Sequence, residues 1–539
     1  MKKCKFGAIA LSSVMAVGCF AGCNKKEVAN DANTLQIYSI EAGYGVDWLY
    51  KVADAFKEKY PEYNVVIETE QGVTRVESML TSGPKNTTHD LMFTTEKLAK
   101  LQAAGANALL GYDCVMENLT DMYKTQIPDE TQTLQEKTAD YILDLYAVEE
   151  ENEAGEWEDN YYMFSWANSL MGIVYNKTLF AEKSMSVPRT TEELYDLCDA
   201  LKSDVAPMLG SFAVSYMDAV STNWWVQYEG ATEYSRYWNP NSMDDYDTIS
   251  QKGKLYQAQI ENQLYKPSYN RLHKDAIDAN YTESQAKFIT RESAMLYCGD
   301  WFENEMKDLI AQNKAKGIND EYGMMKTPLN SAIVDKLSFW DKDKDYSTVF
   351  QSARGENPDA TQLGLLKEAD AKLTQIIDYV DGLTTDKPSF ATDTDIAIVK
   401  ESRNIAITYG PSHQAVIPSY ATAKDAAKKF LLFLASDKGQ KIFSEQTSGA
   451  VMPYGYNPLQ DEVVLSEFAK SSTKVAETAV VVPHSSVTKG SWLIGLSGFR
   501  LPSNRMATEN DYLTPEYIYQ DSIISYSEYQ RLLSVAGVI

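Results

Sequence analysis

Histidine is scarce in this chain: His89, His273, His413 and His484 are the only four in 539 positions. They are far apart in sequence, which argues against a histidine-based metal site. There is no His-Glu-x-x-His helix, Walker loop or Cys-x-x-Cys pair, the short patterns that would announce metalloprotease, nucleotide or redox chemistry. Gly495-Leu496-Ser497-Gly498 lacks the spacing of a nucleophile elbow. Asp341, Asp343 and Asp345 begin like a calcium loop, but Tyr346 stands at the glycine position and Ser352 where the bidentate glutamate belongs. No metal and no cofactor is therefore expected. Glycoside hydrolysis needs only two carboxylates, and with 76 acidic residues the sequence leaves that reaction open.

Positive charge is also in short supply. Fifty Lys and Arg face 76 Asp and Glu, a net charge of −26. Loss of Lys2, Lys3 and Lys5 with a leader peptide would take −26 to −29. Such a surface repels phosphate backbones, so nucleic acid is excluded as a partner. The acidity itself reads as solubility rather than as a site for a cationic ligand.

Long apolar runs are missing except at the start, where Phe6 to Ala21 follows the three lysines. A basic start, a short apolar stretch and small residues before a polar segment describe a secretory signal. Nothing later approaches the ~20 residues of a membrane span. Phe20-Ala21-Gly22-Cys23 closes the apolar run and is similar to the lipobox of bacterial lipoproteins, with Phe20 where leucine is commoner. That resemblance implies cleavage after Gly22, a diacylglyceryl group on Cys23 and a polar tether over 23–33. The alternatives are an ordinary signal peptide and the earlier Ala16-Val17-Gly18-Cys19, which lies inside the run. Of the six cysteines, Cys23, Cys114, Cys198 and Cys298 survive removal of the leader. With Cys23 acylated an odd number remains, which rules out a disulfide scaffold. Cys198 follows Leu194 by four positions and is expected to pack on the apolar face of a helix.

At this length the remainder must divide into more than one core. Thr34 to Ile40 reads as a strand, and Leu49, Val52, Ala53, Phe56 and Tyr60 repeat at helical spacing after it, with Asp47 available as cap. Pro61 ends that helix before the strand Asn64 to Ile67, and Asp90 to Phe93 is a further strand. A second alternation begins near Tyr162: a strand over Gly172–Tyr175, a capping box at Thr190-Thr191-Glu192-Glu193, and a strand Ala294–Tyr297 that ends at Cys298-Gly299-Asp300-Trp301. Thr422 and Asp425 suggest another capping box, before an apolar helix containing Phe430, Leu431, Phe433 and Leu434. Residues 330–395 are irregular in pattern and read as an insertion, with some helix near Leu363 to Tyr379. Alternating strands and helices argue for α/β layers with ligand at the carboxyl ends of the strands.

Four segments, in this order, resemble the extracellular solute-binding proteins of carbohydrate ABC transporters. They are Tyr60-Pro61-Glu62-Tyr63; Trp166-Ala167-Asn168 through Tyr175-Asn176-Lys177 to Pro188 and Thr191-Glu192-Glu193-Leu194; Gln285-Ala286-Lys287-Phe288 through Ala294-Met295 to Gly299-Asp300-Trp301; and Ala426-Ala427 to Phe433, Ser436-Asp437-Lys438-Gly439 and Met452-Pro453-Tyr454. Thr191 departs from the family, where tryptophan is common, and the tail after 460 is long. The resemblance implies an α/β, two-lobed periplasmic-binding-protein-like fold of type II, with ligand clamped in the cleft by hinge closure. It places one lobe at 34–168 and 302–418, with 330–395 inserted, and the other at 169–301 and 419–539. It further implies a monomer on the outer face of the cytoplasmic membrane, anchored by lipid alone, that passes an oligosaccharide to an ABC permease.

A sugar presents hydroxyls and apolar C–H faces, so its binder needs flat aromatic rings beside a few polar groups. On the resemblance, Trp301 stacks on a sugar ring while Asp300 accepts from its hydroxyls. Trp166 and Asn168 at the first crossover, and Glu41 and Tyr44 in the loop after the first strand, are candidates from the other side. Trp224 and Trp225 lie about 100° apart on a helix, so one is expected in the core and the other toward ligand, with Tyr228 nearby. Trp492 is a candidate from the tail. A surface glycosidase and a receptor for another solute, such as a peptide, are the competing readings.

Overall fold

Thirteen strands are found among the described residues: β1 (Thr34–Glu41), β2 (Asn64–Gln71), β3 (Leu91–Thr94), β4 (Val148–Glu151), β5 (Trp157–Asn160), β6 (Phe164–Ser165), β7 (Met171–Asn176), β8 (Ala206–Leu209), β9 (Ser293–Gly299), β10 (Tyr322–Met325), β11 (Ile405–Thr408), β12 (Gln414–Val416) and β13 (Val480–Pro483). The structure is a computed structural model and describes residues 31–535 apart from 42, 72–74, 85–86, 97, 99–114, 153, 213–215, 239–247, 356, 462, 489–513 and 524. The expected leader, Cys23, Cys114 and Trp492 lie outside the described residues.

Two main sheets organise the molecule. The first has the order β2-β1-β3-β12-β6 and the second β10-β7-β9-β8. In the first, β1 runs parallel to β2 and β3, while β12 runs antiparallel to β3 and β6. In the second, β7 is antiparallel to β9 and β10, and β8 is parallel to β9. β11 and β13 form a parallel pair beside β7 and the helix Tyr216–Glu229. β1 and β9 are almost wholly buried, and β9 reads as a near-continuous apolar run from Ala294 to Cys298, the pattern expected of a strand covered on both faces. The chain therefore crosses between the two layers three times: between β6 and β7, between β11 and β12, and between the helix Asp437–Gln446 and the helix Glu467–Thr478.

Helices Asp47–Lys59, Lys424–Ala435 and Asp437–Gln446 pack on one another beside the first sheet. Phe56 meets Phe430 and Phe433 at ring centroid distances of 5.2 and 5.9 Å. This corrects the expected division of the chain. Residues 424–446 join the first layer, because the apolar face of their leading helix needs Phe56. Conversely, β10 pairs with β7, and the helices Tyr346–Arg354 and Ala360–Val380 dock toward the helix Thr191–Leu201 of the second layer. Arg354 Nε donates to Glu192 Oε2 at 2.8 Å, and Arg189 Nη1 to Asp378 Oδ1 at 2.6 Å. The stretch expected to be an irregular insertion is thus largely helical, and Asp345 caps one of its helices by accepting from the Thr348 backbone N–H at 3.0 Å.

Three expected caps also differ. Val46, not Asp47, occupies the cap of the first helix. Thr190 does cap its helix, accepting from Glu193 N at 3.2 Å, but Glu193 turns back to Arg189 N instead of closing a box. At Lys424–Ala435 the Thr422–Asp425 box does not form. The backbone N–H groups of Thr422 and Ala423 donate instead to Asp90 Oδ1, at 2.8 and 2.9 Å. Asp90 also accepts from Gln36 N at 3.0 Å, so one buried carboxylate satisfies donors from a strand and a helix start.

Candidate functional site

The fold brings three of the expected site residues, Tyr44, Asp300 and Trp301, together. β1 ends at Glu41 and the loop behind it delivers Tyr44, while β9 ends at Gly299 and delivers Asp300 and Trp301 from the other layer. The Tyr44 hydroxyl donates to Asp300 Oδ1 at 2.5 Å and lies 3.0 Å from Ser169 Oγ on the first crossover. Ser169 Oγ in turn lies 3.2 Å from His413 Nδ1, in the loop between β11 and β12. Leu170 N donates to Asp300 Oδ2 at 3.4 Å, and Asp300 N to Leu170 O at 3.0 Å. Asp300 is therefore fixed to the first crossover through Leu170 and to the opposite layer through Tyr44. Ser169 takes a left-handed φ of +50°, uncommon for a residue with a side chain and characteristic of backbone held by its surroundings.

Trp301 packs edge-on against Tyr44 and Tyr216, at centroid distances of 6.1 and 5.7 Å. Its ring lies over two glycines. A Cβ on Gly43 would come within 2.9 Å of the indole, and one on Gly299 within 2.2 Å. Both positions need glycine for this close approach. Asn304 Nδ2 donates to Gly43 O at 2.7 Å, a second tie between the β1 loop and the β9 turn. With these contacts in place the two layers touch across the cleft, and Trp301 is only 6 % exposed.

Burial sets the electrostatics. It raises the Asp300 carboxyl to about 7 and pushes His413 down to about 4. Burial, followed by the Asp300 charge, lifts Tyr44 well above the ordinary phenol range. The cluster thus offers hydroxyls, an imidazole and a carboxyl in a poorly hydrated setting, with aromatic rings from both layers. Ser169 and His413 approach as a nucleophile and base would. Both are buried, however, and the other partner of His413 Nδ1 is the Tyr409 carbonyl at 3.4 Å rather than a carboxylate.

The remaining candidates lie elsewhere. Trp166 is 1 % exposed, stacks on Trp48 at 5.6 Å and donates its indole N–H to Thr94 O at 3.3 Å; it is the packed floor beneath Tyr44. Asn168 instead accepts from the Tyr141 hydroxyl at 2.6 Å and lines a separate cavity whose wall does not include Trp301. Glu41 turns sideways along the sheet, accepting from Gln71 Nε2 at 2.7 Å. Trp224 and Trp225 are both buried, because their helix is enclosed on nearly every side. Trp224 donates to Pro328 O at 3.1 Å, and Trp225 packs among Tyr234, Tyr237 and Trp238. Tyr228 donates to Asp335 Oδ2 at 3.3 Å, facing the stretch expected to be an insertion. Ser169, Tyr216 and His413 are additional members of the cluster. His413, one of four histidines and preceded by Gly410-Pro411-Ser412 at a strand break, is the one with a visible signal.

A cavity of about 400 Å³ opens on the other side of the first crossover, lined by Tyr141, Asn168, Val451, Tyr456, Thr473 and Ala476 among others.

Comparison with known proteins places this arrangement. Residues 42–441 match the family model described as bacterial extracellular solute-binding protein. The fold is shared with the apo form of RafE from Streptococcus pneumoniae, with a TM-score of 0.53 and 13 % identity over 94 % of this chain and all of that one, 100 %. It is also shared with the GacH receptor of Streptomyces glaucescens, solved unliganded and with acarbose, at a TM-score of 0.53 and 13 % identity over 93 % and 98 % of the two chains. An ABC substrate-binding protein from Listeria monocytogenes in complex with cycloalternan gives 0.51 and 12 % over 94 % and 100 %. A search of curated proteins finds no match. Among the described residues no helix is long and apolar enough to cross a membrane. The family match covers most of the chain, and with two α/β layers joined by three crossovers around one aromatic cluster, the chain belongs to the bacterial extracellular solute-binding proteins.

Proposed function

We propose that the protein captures an oligosaccharide between two lobes, built on the first and second sheets, and passes it to an ABC permease. The observation that carries this reading is the meeting of Tyr44 and Trp301, one from each layer, beside Asp300. Ligand can favour closure only through contacts that are better in the closed state, and rings contributed from both sides supply that difference. Trp301, Tyr44 and Tyr216 provide stacking faces and Asp300 an acceptor for hydroxyls. Receptors of the same fold hold acarbose and cycloalternan, which supports a carbohydrate over a peptide.

Titration of intrinsic tryptophan fluorescence with raffinose, acarbose and cycloalternan tests the reading. The parent protein is expected to respond to at least one of them. Trp301→Ala should weaken that binding by about thirtyfold, the loss of a central aromatic contact, while Trp301→Phe retains most of it. A parent that responds to no glycan, or an alanine variant that binds like the parent, rejects the site. Recovery of the glycan unchanged after incubation separates capture from hydrolysis.

Anchoring through Cys23 completes the proposal. Cys23→Ser in the full-length precursor, expressed in a bacterium that processes lipoproteins, is expected to abolish palmitate labelling and release the protein from the membrane fraction. Unchanged labelling would remove Cys23 from that role.

A further inference from the structure

The cavity of about 400 Å³ beside the first crossover is distinct from the Trp301 cluster. One part of its wall comes from the first layer: Tyr141, and the segment Val451 to Asn457 that follows the helix Asp437–Gln446. The opposite part comes from the second layer: Thr473, Ala476 and Glu477 on the helix Glu467–Thr478, which packs on β10, and Val481 on β13. Asn168, on the strand-to-strand crossover itself, lies between them. The cavity opens to solvent past Gly455, Gln460 and Glu477, all exposed.

Its chemistry is specific. Asn168 is more than nine-tenths buried, and its Oδ1 accepts from Tyr141 at 2.6 Å. No hydrogen bond runs from its side-chain N–H₂ to a described residue, and the side chain lines the cavity, where a ligand oxygen could accept from it. The lining includes Tyr141 and Tyr456 as flat rings and Asn457 and Gln460 as further amides, but no cationic side chain. Its one carboxylate, Glu477, already accepts from Asn457 Nδ2 at 3.1 Å. An anion would meet no counter-charge, and no cluster of carboxylates and histidines able to hold a metal exists among the described residues. What fits is a small neutral molecule rich in hydroxyls, with an apolar face for a tyrosine ring.

We propose that this cavity is a second ligand site, taking a neutral polyol the size of a monosaccharide or cyclitol. Because its walls come from both layers, its shape depends on how the lobes are set about the crossovers. A molecule filling it as it stands favours the conformation in which Tyr44 meets Asp300. Occupancy does not depend on the oligosaccharide reading; the effect on closure rests on it.

Saturation-transfer NMR with D-glucose and myo-inositol, on the mature chain, tests the site. At least one probe is expected to give a signal in the parent and in Trp301→Ala, and none in Ala476→Trp, whose indole fills the cavity. If Ala476→Trp shows a collapsed thermal transition, Ala476→Leu replaces it and should weaken the signal at least threefold. Absence of signal with both probes in the parent, persistence in a folded Ala476 variant, or loss in Trp301→Ala overturns the proposal. Saturating the cavity with the responding probe should also tighten the glycan found in the fluorescence titration by about fivefold or more, an effect expected to vanish in the Ala476 variant. An unchanged glycan affinity with a positive probe signal overturns the coupling and leaves the cleft reading intact. A positive probe signal in a protein that binds no glycan separates failure of the cleft reading from failure of this one.

Discussion

Trp166→Ala is expected to destabilise the protein by about 3–5 kcal/mol, the range for deleting a large aromatic from a packed core. The indole stacks on Trp48 at 5.6 Å and meets His413 and Tyr44 edge-on at 4.8 and 5.9 Å. Its N–H donation to Thr94 O also disappears with the ring. The surrounding rings belong to separate parts of the chain, so they are poorly placed to collapse into the gap. Urea denaturation gives the measurement: the midpoint should fall sharply, with a smaller shift for Trp301→Ala. A Trp166→Ala protein as stable as the parent but deficient in glycan binding would instead make this ring a ligand contact.

The contrast between Trp166 and Trp301 shows how far the sequence can be read. The sequence places both beside strands, Trp301 just after Ala294–Tyr297 and Trp166 shortly before Gly172–Tyr175. Whether a ring at such a point is floor or wall depends on what the rest of the chain puts against it. Trp48 and Phe443 supply the floor around Trp166, from 118 residues before it and 277 after it in sequence. No local pattern carries that information. The Asp300-Trp301 turn is legible because the strand Ala294–Tyr297 is so clearly apolar that its end is fixed. The pair Trp224-Trp225 misleads for the opposite reason. A helix in contact with solvent would show one of two adjacent rings outside, but this helix is buried almost all round.

Allocation of segments to layers failed at 322–325 and 424–446 on similar grounds. A strand's hydrogen-bond partners and a helix's apolar partner are non-local, and chain order alone suggests the wrong neighbours. The same holds for Asp90, whose carboxylate replaces the local Thr422–Asp425 box by reaching across 332 positions to Thr422.

Stability is expected to fall as pH rises from 6.5 to 8. Burial raises Asp300 and Asp370 to about 7 and Glu261, helped by the charge of Asp218, to about 8. Each of these carboxyls binds its proton more tightly folded than unfolded, where it titrates near 4. Their stabilisation is full below about pH 4, declines through the acidic range and is gone once pH exceeds the folded values. His413 acts in the opposite direction. Burial holds it at about 4 when folded, against about 6.5 unfolded, so it destabilises the protein as pH falls from about 6.5 to 4. Between 6.5 and 8 the folded imidazole is neutral while the unfolded one sheds its remaining half proton, an opposing rise of about 0.4 kcal/mol that is smaller than the fall from the three carboxyls. The combined loss over that window is on the order of 1–3 kcal/mol, read as a falling thermal midpoint at constant ionic strength. Asp300→Asn keeps an acceptor for the Tyr44 hydroxyl without the titrating group, so its midpoint should fall less steeply than the parent's above pH 6.5. A parent midpoint that is flat or rises across the window would contradict all three assignments, and identical slopes in parent and variant would contradict that of Asp300 alone.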